Sequence, residues 1–151
     1  MVPPELLQGL ECLKSYSPEQ VRKLAQISDL MDCPSETYVY RTNDVADALY
    51  LVLSGRVAVE MELPRHRKVV VDFAERGEFF GWSALVPPHL LTASCLCMEQ
   101  STLLRIPREP LLKLLEEDVL LKASLMEMIS TLVARRLKDT RLQMSYLLGW
   151  D

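Results

Sequence analysis

The chain has 151 residues, 49% of them apolar and 25% charged, and a formal net charge of −4. That length suits one domain with a proper core and is too short for two of ordinary size. The acidic balance, with a sequence pI of about 5.3, argues against direct DNA binding, which asks for a concentrated basic surface. The longest apolar run, Ala48 to Leu53, falls well short of the about 20 residues a membrane helix needs. The start, Met1-Val2-Pro3-Pro4-Glu5, has neither a basic n-region nor an apolar h-region. The expectation is a cytoplasmic protein with no membrane partner.

Leu6, Leu7, Leu10 and Leu13 recur at helical spacing and predict a short helix over Pro3 to Leu13. A strong start signal follows. Ser17 can cap, Pro18 suits the first helical position, and Gln20 stands where a capping box wants Glu or Gln. The helix this predicts runs to about Ser28, with Val21, Leu24, Ala25 and Ile27 on its apolar side. From residue 30 to 106 the pattern changes to short strands. Thr37 to Tyr40 is β-rich, and Thr42-Asn43-Asp44 reads as a turn in which Asn tolerates a positive φ. Leu49 to Leu53 and Arg56 to Met61 read as a hairpin around Ser54-Gly55. Val69 to Phe73, Thr92 to Met98 and Thr102 to Ile106 complete the set. Short strands at regular spacing, with no long helix between them, suggest a sandwich or barrel-like roll.

Beyond Pro107 the chain turns helical again. Arg108 to Glu117 reads as an amphipathic helix, and a longer one spans about Val119 to Leu148. Leu121, Leu125, Met128 and Leu132 form one apolar row; Ala134, Leu137, Met144 and Leu148 form a second. About 28 helical residues reach about 42 Å, more than the domain's own surface covers. An uncovered apolar stripe usually finds a partner, so a parallel homodimer through residues 119–148 is expected; the other reading folds the helix back onto the sheet. Two basic clusters, Arg65 to Lys68 and Arg135-Arg136-Leu137-Lys138, read as a solvated hairpin loop and a solvated helix face. The four cysteines, at 12, 33, 95 and 97, show no C-x-x-C spacing. Cys95 and Cys97 share a strand face. Buried free thiols are one reading and an iron–sulfur cluster the other.

Two stretches carry a resemblance. Asp44 to Val57 (DVADALYLVLSGRV) is similar to the "GD-x-AD-x-LYLVLSGRV" stretch of the cyclic-nucleotide-binding domain found in catabolite-activator/Fnr-like regulators, kinase regulatory subunits and gated channels. Asn43 stands where glycine is usual. Gly77-Glu78-Phe79-Phe80-Gly81 resembles the glycine-bounded start of that family's phosphate-binding cassette, here residues 77–94. The match runs from about Leu6 to Leu137. It implies a mainly β fold with flanking helices: a double-stranded β-helix, jelly-roll-like, with a long C-terminal helix. The expected layout is one unit over 1–151, with N-terminal helices over 1–29, the β-roll over 30–106 and C-terminal helices over 107–151. The family's DNA-binding members carry a winged helix-turn-helix after the long helix, and this sequence stops at Asp151, so a stand-alone sensor domain is expected.

The resemblance also supplies a candidate site: Phe80, Gly81, Trp82, Ser83, Ala84, Leu85, Leu91, Thr92 and Ala93. In the family, N–H groups of the turn after "FG" hold the cyclic phosphate, and Gly81 to Leu85 occupy that place. Trp82 stands where a Glu accepts from the ribose. Indole has one donor and no acceptor, so it stacks on a ring or fills the pocket. Leu91 stands where an Arg grips the phosphate, and no Arg or Lys occurs between Gly77 and Arg105. Removing one side of a buried charged pair costs about 2–5 kcal/mol, or roughly thirtyfold to a few thousandfold in affinity. Thr92 and Ala93 match the small pair after that Arg. His89, after Val86-Pro87-Pro88, is read as exposed.

The leading expectation is a non-enzymatic regulatory sensor. It would bind a cyclic nucleotide (cyclic AMP or cyclic GMP) or a related small ligand and signal through the dimer helix to an unknown partner protein. The alternatives are a ligand-free interaction module whose pocket is plugged by Trp82, Leu90 and Leu91, and a haem or iron–sulfur redox sensor. No nucleophile with its base, no carboxylate pair in a motif and no metal-ligand spacing speaks for catalysis.

Overall fold

The structure, a computed structural model, describes residues 1–149. The last two positions of the helical segment expected over 107–151, Trp150 and Asp151, lie outside the described residues. The N-terminal segment departs from the helix expected over Pro3 to Leu13. It forms two separate 3-10 turns, Pro4–Leu6 and Glu11–Leu13, because the backbone turns left-handed at Gly9 between them. Leu7, Leu10 and Leu13 are buried all the same.

Helix α1 (Pro18–Ile27) opens with the full capping box: Gln20 N–H donates to Ser17 Oγ, and Ser17 N–H donates to the Gln20 side chain. Eight strands follow: β1 (Asp29–Cys33), β2 (Tyr38–Tyr40), β3 (Ala48–Ser54), β4 (Arg56–Leu63), β5 (Arg67–Glu75), β6 (Phe79–Phe80), β7 (Ser94–Cys97) and β8 (Ser101–Pro107). They form two antiparallel four-stranded sheets, ordered β1-β8-β3-β6 and β2-β7-β4-β5. Two helices close the chain, α2 (Arg108–Glu117) and α3 (Val119–Leu147). Asp118 caps α3 by accepting from Leu121 N–H.

The Ser54-Gly55 turn does not close a hairpin. β3 pairs with β6 and β8, and β4 pairs with β5 and β7, so the chain changes sheets at this point. The corner is tight. A Cβ on Gly55 would stand 2.2 Å from Ser101 Oγ, and the backbone there has φ +96°. A real hairpin joins β4 to β5 through Pro64, Arg65 and His66.

Strand alternation sorts side chains into two cores. Leu49 and Leu51 of β3, Phe79 of β6, and Leu104 and Ile106 of β8 face the helices, where they meet Leu24, Leu111, Leu115, Leu121 and Leu125. Ala48, Tyr50 and Val52, Phe80 and Leu103 face the second sheet, meeting Val57, Val59, Cys95 and Cys97. β3 is therefore covered on both faces, which explains an uninterrupted apolar run in place of an alternating one. The cysteines are free and divide between the cores: Cys12 packs against the helix side, while Cys33, Cys95 and Cys97 lie between the sheets. Four thiolates thus do not meet, and among the described residues no group of three or more His, Cys, Asp or Glu could hold a metal ion. No helix among those residues is long and apolar enough to cross a membrane.

Candidate functional site

β6 ends at Phe80 and the chain turns at Gly81, whose φ of 79° and ψ of 30° are left-handed. Glycine suits that conformation, and close packing adds to the demand: a Cβ there would lie 3.1 Å from the Tyr50 ring. One 3-10 turn, Trp82–Leu85, follows. His89 is half-buried rather than exposed, with Nδ1 3.0 Å from the Ser83 carbonyl oxygen, which closes the loop on itself. The two motifs read in the sequence are joined by main-chain bonds. Asn43 N–H donates to Leu91 O at 2.8 Å, Leu91 N–H to Asp44 O at 3.0 Å, and Ala46 N–H to His89 O at 2.8 Å. Asn43 takes the positive φ, 74°, that lets the first loop reach the second.

Six of the nine sequence-derived site residues line one cavity: Gly81, Trp82, Ser83, Leu91, Thr92 and Ala93. The other three pack away from it. Phe80 stacks on Tyr50 in the inter-sheet core, with centroids 5.1 Å apart. Ala84 is buried beside Leu91 and Ala46, and Leu85 leans on the helix-side core. Leu91 is 5% exposed, so the position where the resemblance implies a cation is an apolar plug. Leu90 is largely exposed and plugs nothing. The cavity measures about 40 Å³, room for a few waters and far less than a nucleotide occupies.

Three lining residues were not read from the sequence: Tyr40, Val59 and Arg136. Arg136 comes from α3. Its guanidinium lies over the Trp82 ring, 4.3 Å from the centroid, and its Nε donates to Asp72 of β5 at 2.9 Å. The neighbouring Arg135 donates to Glu78 at 2.6 Å and reaches the same Asp72 oxygen at 3.5 Å. The pair read as a solvated basic face therefore ties the helix to the start of the cassette. The available signal was joint: a cassette without a cation, acidic residues at 72 and 78, and adjacent arginines on a helix with apolar rows.

Behind the lining residue Tyr40 lie the buried thiols of the inter-sheet core. Tyr40 hydroxyl is 3.0 Å from Cys95 Sγ. Burial holds the Tyr40 phenol well above its ordinary range. Burial also pushes the Cys95 thiol up to about 12, against a smaller lowering from the Tyr40 bond. Cys97 is raised to about 12 by burial and by its contact with Cys33. Protonated thiols of this kind are poor ligands and poor nucleophiles.

The family model of the cyclic nucleotide-binding domain matches residues 31–118. Lysophospholipase nte1 of Aspergillus fumigatus is 29% identical over 101 residues, 67% of this chain and 6% of that protein. The cyclic AMP receptor protein of Thermus thermophilus is 26% identical over 141 residues, 93% of this chain and 63% of that protein. The chain thus spans less than two thirds of either relative. A solved protein of Geobacter metallireducens, assigned to the cyclic nucleotide-binding proteins by its name alone, superposes with a TM-score of 0.77 at 27% identity, covering 91% of this chain and 99% of that one. Family match, roll topology and cassette position agree: the chain belongs to the cyclic nucleotide-binding domain family.

Proposed function

We propose that residues 1–151 act as one regulatory sensor unit, without catalysis, that binds a cyclic nucleotide or a related small anion at the roll cavity, which widens by movement of the Trp82 and Arg136 side chains that line it, and signals through α3. The observation that carries this reading is that one cavity is lined both by the cassette and by Arg136 of α3. A ligand entering there meets the helix directly. Trp82 and Ser83 N–H groups, with no hydrogen-bond partner among the described residues, supply donors that depend on no side chain. The output is a dimer through the distal part of α3, where Leu137, Met144, Leu147 and Leu148 are exposed. Apolar exposure of this kind is characteristic of helix pairing.

Thermal stabilisation by cyclic AMP, cyclic GMP and their linear counterparts tests the reading. Ligand at a hundred times Kd contributes about 2.7 kcal/mol, a rise of about 5–10 °C for a domain of this length. No shift with any of them at millimolar concentration removes the nucleotide version. Leu91→Arg with Trp82→Glu is the complementary arm. Because Leu91 is buried, the new charge costs stability without ligand, and cyclic AMP is expected to restore it.

The second reading, a ligand-free interaction module, is favoured by one observation: Trp82, Tyr40 and Leu91 leave only about 40 Å³. Under that reading Trp82→Ala opens a cavity and destabilises the protein, and no ligand in the panel stabilises the parent.

A further inference from the structure

The cassette lacks a cation of its own, and α3 places one at its mouth. Arg136 lines the cavity with Trp82, Ser83 and Thr92. Its plane is fixed from one side by the Trp82 ring at 4.3 Å. Nε is engaged by Asp72 at 2.9 Å. The two terminal nitrogens have no hydrogen-bond partner among the described residues, and the side chain is only 20% exposed. A guanidinium held in plane with its outer edge unused is the geometry that grips phosphate oxygens two at a time.

Asp72 opposes an anion here, so its fate decides whether one can bind. Its side chain is 14% exposed, and a carboxylate left unpaired there would be costly. It is not left unpaired when Arg136 turns away, because Arg135 Nη2 already stands 3.5 Å from the same oxygen. Asp72 also accepts from Phe73 N–H at 2.8 Å. Arg135 in turn is held by Glu78 at 2.6 Å. Two arginines share one acid, and one of them is free to leave.

We propose that Arg136 is the anion-gripping side chain of this site, exchanging Asp72 for the phosphate of a small molecule. This rests on the sensor reading and names its ligand class and its contact. The phosphate, as cyclic diester or as terminal monoester, sits between Arg136 and the Trp82–Ser83 turn. Binding then moves α3 relative to β5, since the bond surrendered is one of those that join them.

The test is fluorescence titration of a Trp150→Phe protein, in which Trp82 is the sole indole. The probes are cyclic AMP, AMP, inorganic phosphate and adenosine. Either nucleotide is expected to change Trp82 emission. Arg136→Gln weakens that nucleotide at least tenfold, and Asp72→Asn tightens it severalfold. Adenosine, without the anion, responds to neither change. AMP against cyclic AMP separates monoester from diester. Thermal melts check folding; should Arg136→Gln fail to fold, Asp72→Asn carries the test, and unchanged affinity there overturns the exchange. Equal nucleotide affinity in parent and Arg136→Gln overturns the inference and leaves the sensor reading standing. Silence of the parent and of Asp72→Asn towards all four probes overturns both.

Discussion

The two halves of α3 are attached to the rest of the molecule by different physics. Up to Leu132 the helix is fastened by burial: Leu121, Leu125 and Ile129 are in the core and Met126, Met128 and Leu132 pack against it. Beyond that point the attachment is ionic, through Arg135 and Arg136 to Glu78 and Asp72, and the apolar side chains face outward, Leu147 at 86% exposure. Burial is insensitive to salt and fails only with the fold, whereas partly exposed ion pairs are screened and exchangeable. A helix built this way has a fixed root and a releasable shaft.

The root is the easiest half to break. Leu125→Ala deletes a fully buried side chain and is expected to cost about 2–5 kcal/mol, read as a lower urea midpoint with little change in slope. Alkaline pH attacks the buried cores rather than the shaft. Cys95 and Cys97 are raised from 9.0 to about 12 in the folded protein, and Tyr16 from 10.0 to about 12. Folded values above unfolded ones mean a contribution complete below about pH 9 and lost as pH climbs towards 12. Melting temperature should be level from pH 7 to 8.5 and fall steeply above 9. Flat melting to pH 11 would refute the burial of these thiols.

The shaft is broken more gently. Asp72→Asn with Glu78→Gln removes the acids that hold the shaft without leaving a buried carboxylate unpaired; it is expected to lower global stability by about 1 kcal/mol or less, yet to speed amide exchange in residues 133–147 and leave residues 121–129 protected. Smallest of all, salt raised from about 0.05 to 0.5 M should reproduce part of that exchange pattern in the parent and none in the double variant. Equal protection of both halves under all these conditions would erase the distinction.

How much of this was legible in the sequence follows the range of each interaction. Local chemistry was: the Ser17–Gln20 capping box, both boundaries of α2, and the positive φ at Asn43 each depend on a few neighbouring residues. The β3–β4 connection was misread because a strand shows its own pattern but not its partner, and Ser54-Gly55 serves a sheet change as well as a hairpin. The helix expected over Pro3 to Leu13 failed for a related reason. Leucine spacing reports which side chains are buried, and two 3-10 turns bury them as well as one α-helix does. At the site, the cassette residues were readable from their motif. Arg136 was not, since its meaning comes from Asp72 and Trp82, distant in sequence and adjacent only once folded.

The three main-chain bonds between residues 43–46 and 89–91 bear on how such a site changes over time. They hold the rim of the cavity without asking anything of the side chains there. Mutation can therefore alter Trp82, Thr92 or Ala93 without unfastening the loop that presents them. The same scaffold can drift from one ligand to another, or be steered there by a small library at those positions, while its architecture is inherited unchanged.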